Sequence, residues 1–348
     1  MRRHQSEGDQ LEASGSRSRD LRAQAQYYAA AMALKLLSSS EVTRRGYRLA
    51  GNKLGRRIHG ALTADQIDYG LWQVQAIEDH SKPLQKDSVI LELGTGWIHF
   101  YGLYLTLFFD AQLVAVDVAD IRQLAPLRMR FAALADGLAK SAKGWPAQRL
   151  REAQARARRL ACAQSFEEVY ESARAQYMVV QDATLAGLSD ASVDVVSSVD
   201  VLEHIPRSAL GTTAREIRRI LRPGGISVHQ IGTVDHIAHY SPKMPSKYYL
   251  KFSDRTWATF LENRLQYVNR LQASEFLGAF AETGLELVQY GRELDPALPE
   301  TVRLARQFHQ FDPEDLMTTR AYMVHRRPPV DAAASDSARA DRNADSRP

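Results

Sequence analysis

The chain has 348 residues, a length suited to one large domain or two small ones. Its formal net charge is +4, and residues 121–178 hold 11 Lys/Arg against 5 Asp/Glu, so the rest of the body is slightly acidic and is not a basic nucleic-acid surface. A single cysteine, Cys162, excludes an internal disulfide framework and a cysteine-based zinc site, and no run approaches the roughly 20 apolar residues of a membrane span.

Residues 1–25 and 329–348 are polar, charge-mixed and short of large apolar side chains, so both are expected as disordered tails. The first of these lacks the apolar run of a signal peptide, which leads to the expectation of a cytoplasmic protein. Residues 26–85 read as helical, with "TADQIDYGLWQVQAIEDH" (63–80) starting at Thr63 as N-cap. Then come "SVILEL" (88–93), "QLVAVD" (112–117), "YMVVQD" (177–182), "VDVVSSV" (193–199) and "ISVHQIG" (226–232). Near-continuous apolarity of this kind marks strands covered on both faces. Helical stretches separate them: about 100–110, the arginine-rich 121–175, and "SALGTTAREIRRIL" (208–221), which stops at "RPGG". A further helix, "QASEFLGAFAETG" (272–284), precedes the last strand candidates, "LELVQY" (285–290) and "TRAYMVHR" (319–326). Alternation of this sort predicts an α/β domain over 86–328 with a parallel sheet built from βα units.

The first βα turn reads Gly94-Thr95-Gly96-Trp97-Ile98-His99. Glycines there let a ligand approach the backbone, and the following helix presents free N–H groups. A dinucleotide turn needs a third glycine, which is missing. Asp117 ends the second strand, where an acid can take both hydroxyls of a ribose; Asp182 ends the third, where a carboxylate can accept from an adenine amino group.

With "ELGTGW", "VAVDV", "QDAT", "SVDVVSSVDVLEHIP" and "ILRPGG" in this order, the chain resembles the class I S-adenosylmethionine-dependent methyltransferases from about residue 86 to 232. Ile98 stands where the family's first motif usually has its third glycine. The resemblance implies a Rossmann-like fold with a mostly parallel seven-stranded sheet and an antiparallel C-terminal strand. It implies S-adenosylmethionine as cofactor, contacted by Glu92, Gly94, Thr95, Gly96, Trp97, Asp117, Asp182, Ala183 and Asp200. The "GTGW" turn, the long insert and "DHIAHYSPKMPSKYYLKFSDRTW" also look like bacterial methyltransferases encoded among surface-polysaccharide genes. That narrower resemblance implies a sugar, glycan or related small-molecule acceptor; a natural-product or lipid methyltransferase acting on O, N or C, or a non-catalytic cofactor-binding subunit, is the alternative.

An oxygen acceptor must lose a proton, and candidates lie beyond strands four and five. "DHIAH" supplies Asp235, His236 and His239: either a base, His236 before His239, oriented by Asp235, or loop anchors, or metal ligands. Metal ligation by this pair is not expected, because magnesium prefers oxygen. Glu203 and His204 of "LEHIP" read as structural; Tyr69 and Trp97 as pocket walls or packing; Asn269 and Arg270 as acceptor contacts or a structural pair. The 121–175 insert is expected to be a helical cap over the acceptor, with Arg156, Arg158 and Arg159 suiting an anionic group.

Overall fold

In the computed structural model, which describes residues 21–43, 46, 62–180 and 185–329, one sheet runs β3-β2-β1-β4-β5-β7-β6. The strands are β1 (Val89–Leu93), β2 (Gln112–Asp117), β3 (Ala175–Val179), β4 (Val193–Val199), β5 (Leu221–Gly232), β6 (Glu286–Leu294) and β7 (Thr318–Arg326). The first five are parallel, while β7 runs antiparallel between β5 and β6. This is the Rossmann-like class I methyltransferase fold that the motifs imply. Strand order reverses between β1 and β4, so a crevice opens above their C-terminal ends, where ligands of open α/β sheets bind.

Three expected boundaries move. The ladder of β3 with β2 runs from Leu113–Ala175 to Asp117–Val179 and is exhausted there, so β3 ends at Val179. Asp182 and Ala183 lie outside the described residues. "RPGG" is not a turn between elements: helix Arg207–Ile220 passes directly into β5, and the four residues form a bulge, since Val193 pairs Leu221 but Val195 pairs Ile226. Residues 21–25, placed in the N-terminal tail by composition, begin a helix over 21–37.

One face of the sheet is covered by helices Ala64–His80, Leu124–Ser141, Ala147–Cys162 and Phe166–Ala173. The first of these starts at the expected cap, with Gln66 N–H donating to Thr63 Oγ1 and Thr63 N–H to Gln66 Oε1, both at 3.3 Å. The other three fill the insert, and they form a layer of the fold where a cap was expected. Leu127, Phe131, Leu134, Leu150 and Ala157 bury in one core with Ile90 and Leu113, because the leucine-alanine stripe of each helix faces the sheet. Arg156 is turned to the carbonyls of Thr106 and Leu107, at the far end of helix Tyr101–Leu105 from the glycine turn. Arg158 and Arg159 are exposed. Arg158 and Arg159 thus lie on a solvated face, while Arg156 braces the end of helix Tyr101–Leu105.

Helices Arg207–Ile220 and Ala273–Ala281 cover the opposite face. A third cluster joins Tyr27, Ala31 and Leu34 of the 21–37 helix to Ile237, Tyr248, Phe252 and Trp257. Among the described residues no helix is long and apolar enough to cross a membrane.

Candidate functional site

The glycine turn is tied to the neighbouring strand β2. Gly94 and Gly96 have φ of +71° and +67°. The N–H groups of Gly94 and Thr95 donate to Val116 O at 2.8 and 3.0 Å. Ile98, in place of a third glycine, is a core residue only 6% exposed. Glu92 stands behind the turn: Oε2 accepts from Thr95 Oγ1 at 2.5 Å, and Oε1 from Gly102 N–H at 2.7 Å. Both oxygens are thus spent on bracing the turn against the next helix.

Burial pushes the Glu92 carboxyl up to about 7, against the downward pull of those two hydrogen bonds. The folded chain therefore keeps a proton that the unfolded chain, with an ordinary value of 4.5, releases first. A raised carboxyl contributes stability at low pH that is lost as pH climbs from about 4.5 to about 7. Glu92→Gln removes this dependence. Thermal or urea unfolding without ligand should show the variant gaining on wild type by on the order of 3 kcal/mol between about pH 4.5 and about pH 8. A constant difference across that range would show that Glu92 is ionised throughout.

Asp117 clamps the rim. Its Oδ2 accepts from Gly96 N–H at 2.7 Å, and its Oδ1 from the N–H groups of Val118 and Ala119 at 2.7 and 3.3 Å. A β-carbon placed on Gly96 meets no atom within 4 Å, whereas one on Gly94 stands 2.6 Å from both γ-carbons of Val201. Gly96 is thus open on its Cβ side, next to the Asp117 carboxylate that its N–H contacts. Val118, 67% exposed, and Ile121 add apolar surface beside it, the kind a flat heterocycle covers. Sequence reasoning missed Val118; its signal is an apolar residue directly after a strand-end acid. Also missed was His99, which is fully buried at φ +54°, with Nδ1 3.2 Å from Tyr170 Oη and its ring against Tyr177. Trp97 is half-buried against the first core, and its carbonyl accepts from Gln123 N–H at 2.9 Å.

A second group gathers above β4 and β5. Asp200 directly follows β4 at φ +52°, and its carboxylate accepts from Arg320 Nη1 at 2.8 Å; the Arg320 guanidinium lies 4.6 Å from the Tyr69 ring centroid. That engagement sets Asp200 among the residues beside Glu203. Glu203 is 2% exposed, accepts from Gly232 N–H at 3.2 Å through Oε1, and has no hydrogen-bond partner for Oε2 among the described residues. Burial, then the charge of Asp200, holds its carboxyl well above the usual range. His204 Nδ1 lies 2.6 Å from Tyr267 O. Asn269 fixes this segment, its Nδ2 donating to Leu202 O and Ile205 O at 2.8 and 2.9 Å and its N–H to Glu203 O at 2.8 Å. Asn269 is thus structural. Arg270 Nη2 donates to Phe252 O and Asp254 Oδ1 at 3.1 and 2.9 Å, and the residue lines a small pocket together with Glu203 and Asn269.

His236 sits between two imidazoles, with ring centroids 5.0 Å from His204 and 5.3 Å from His239. Burial pushes it down to about 3, helped by His204 and His239 and opposed by a hydrogen bond with Gln266; desolvation of its partly enclosed ring also lowers His239, although the residue as a whole is exposed. Asp235 does not orient either ring in the described contacts. It is fully buried and accepts from Tyr27 Oη at 2.7 Å and Ile237 N–H at 2.9 Å, tying the 21–37 helix to this loop. Its partner lies 208 residues away, which no local pattern discloses. Tyr27→Phe should leave the buried carboxylate one donor short and lower stability by about 1.5–3 kcal/mol, read from urea unfolding. An unchanged midpoint would mean that the bond contributes nothing.

Beside Arg320 opens a cleft of about 540 Å³ lined by Asp65, Asp68, Tyr69, Trp72, Glu293 and Tyr322. Three carboxylates, Asp65, Asp68 and Glu293, make this cleft acidic.

A family model described as "Methyltransferase domain" matches residues 141–229. No curated protein matches. Solved structures that are similar include geranyl diphosphate C-methyltransferase from Streptomyces coelicolor, at 16% identity over 73% of this chain and 78% of that one, with a TM-score of 0.41. Another is phosphoethanolamine N-methyltransferase 2 from Haemonchus contortus, at 16% identity over 76% and 57% of the two chains and a TM-score of 0.39.

Proposed function

We propose that this chain is an S-adenosylmethionine-dependent methyltransferase and that it methylates an oxygen of a sugar, glycan or other small molecule held above β4 and β5. The observation that carries this reading is the pairing, across the switch point, of the Gly94–Gly96–Asp117 rim with the Glu203–His204–His236–His239 group. Bound there, the cofactor supplies a methyl group on a sulfonium, already activated for displacement. Thr95, Gly96 and Trp97 shape the seat of its methionine part, with Glu92 bracing them from behind. Asp117 takes the ribose hydroxyls with lone pairs left over from the backbone, and Val118 covers adenine. Asp200 orders Arg320 at the boundary between the two halves.

The acceptor proton goes to His239. His236 is too enclosed for the role, whereas His239 is exposed and stacked beside it. Alignment and exclusion of water supply the remainder. The acidic, aromatic cleft favours a second reading, N-methylation of an amine, because carboxylates and ring faces both attract cations.

Calorimetric titration with S-adenosylmethionine, S-adenosylhomocysteine and NAD, then a methyl-transfer screen over sugars, nucleotide-sugars and amines, tests the reading. Binding of the two sulfur nucleotides without NAD, and turnover on a hydroxyl acceptor, is expected. Binding of NAD alone would overturn it; turnover confined to amines would select the second reading.

A further inference from the structure

We propose that Glu203, His204 and His236 form a site for one divalent transition-metal ion on the acceptor side of the crevice. One ligand atom from each lies within 4.8 Å of the other two, so the three converge from two strand ends. Glu203 and His204 occupy the single turn Leu202–His204 after β4, and His236 follows β5.

Two of the three carry a feature that suits a ligand. Glu203 Oε1 satisfies Gly232 N–H, but Oε2 is buried without a partner, and a buried carboxylate oxygen in that condition is costly. A carbonyl only accepts, so the contact of His204 with Tyr267 O puts the proton on Nδ1 and leaves Nε2 as the lone pair. Metal-bound histidines are characteristically held in this way through their other nitrogen. Asn269 grips the carbonyls on both sides of Glu203 and His204, so the pair is fixed before any ion arrives.

Two imidazoles and one carboxylate suit Zn²⁺, Co²⁺ or Fe²⁺ better than Mg²⁺, which prefers an all-oxygen shell. Three protein ligands leave coordination positions open, and His204 is on the exposed side. An acceptor hydroxyl entering there would have its acidity raised, so that its proton passes readily to His239. This role rests on the acceptor reading above; the existence of the site does not.

The test uses the full chain stripped with a chelator. Calorimetry with Zn²⁺ should give about one equivalent bound, and Co²⁺ should give a visible ligand-field band. His236→Gln and Glu203→Gln should each weaken Zn²⁺ by more than the roughly 10–100-fold that loss of an outer-shell partner costs, and abolish the band. S-adenosylmethionine affinity should stay within about twofold in His236→Gln, which serves as the fold control. If Glu203→Gln fails to fold, His236→Gln, a half-buried loop variant, decides the matter. No Zn²⁺ uptake by wild type, equal uptake by His236→Gln, or Mg²⁺ held more tightly than Zn²⁺ would overturn the proposal. Loss of cofactor binding by wild type would instead sink the methyltransferase reading and leave the metal result standing.

Discussion

Gly94→Ala is expected to weaken S-adenosylmethionine binding by about 100-fold or more and to destabilise the fold at the same time. A φ of +71° costs an alanine about 1–2 kcal/mol. The new β-carbon would also stand 2.6 Å from Val201 Cγ1 and Cγ2, an overpacking worth about 1–3 kcal/mol. Relief requires the turn to retreat from the segment leading to Glu203, and a shift of about 1 Å at a positioned site costs about 10²-fold. Two companions separate the terms. Gly94→Ala with Val201→Ala keeps the backbone strain but loses the clash, so stability should partly return. Gly96→Ala has similar strain and no steric neighbour in the protein, so its affinity should fall more than its unfolding midpoint. Wild-type affinity in folded Gly94→Ala would remove the cofactor from this turn.

His239→Ala should lower kcat by about 10²–10⁴ on a hydroxyl acceptor while leaving S-adenosylmethionine affinity unchanged, the range general-base help usually supplies. His239 is the exposed member of the stacked pair, able to meet an incoming acceptor and return its proton to solvent. His236→Ala should also lose rate, but with Zn²⁺ affinity lost in parallel, whereas His239→Ala should keep its metal. Full kcat in His239→Ala would assign the proton to another group or to an acceptor that needs no base.

What the sequence disclosed follows the range of the forces involved. β1, β2 and β4 were legible to within one residue because both faces of each are buried, which imprints an unbroken apolar run. The G-x-G turn and Asp117 were legible because their spacing is local. The end of β3 was not, since β2 sets it through the ladder. Neither was the place of the 121–175 helices: their arginines are conspicuous, but the buried stripe of Leu127, Phe131, Leu134 and Leu150 decides where they pack. Glu203 and His204 read as ordinary because the feature that distinguishes them, an orphaned oxygen near a histidine from another loop, exists only in three dimensions.

The bond between Tyr27 and Asp235 has a consequence for synthesis. At about 5–20 residues per second, the 208 residues between them take on the order of 10–40 s to emerge from a ribosome. Throughout that interval Tyr27, Ala31 and Leu34 have no surface to join, since nearly all of their cluster is encoded after residue 236. An isolated helix of this length is marginal in water. The first part of the described chain to be made is therefore among the last to settle. Until then its apolar stripe is open to chaperones and to neighbouring nascent chains.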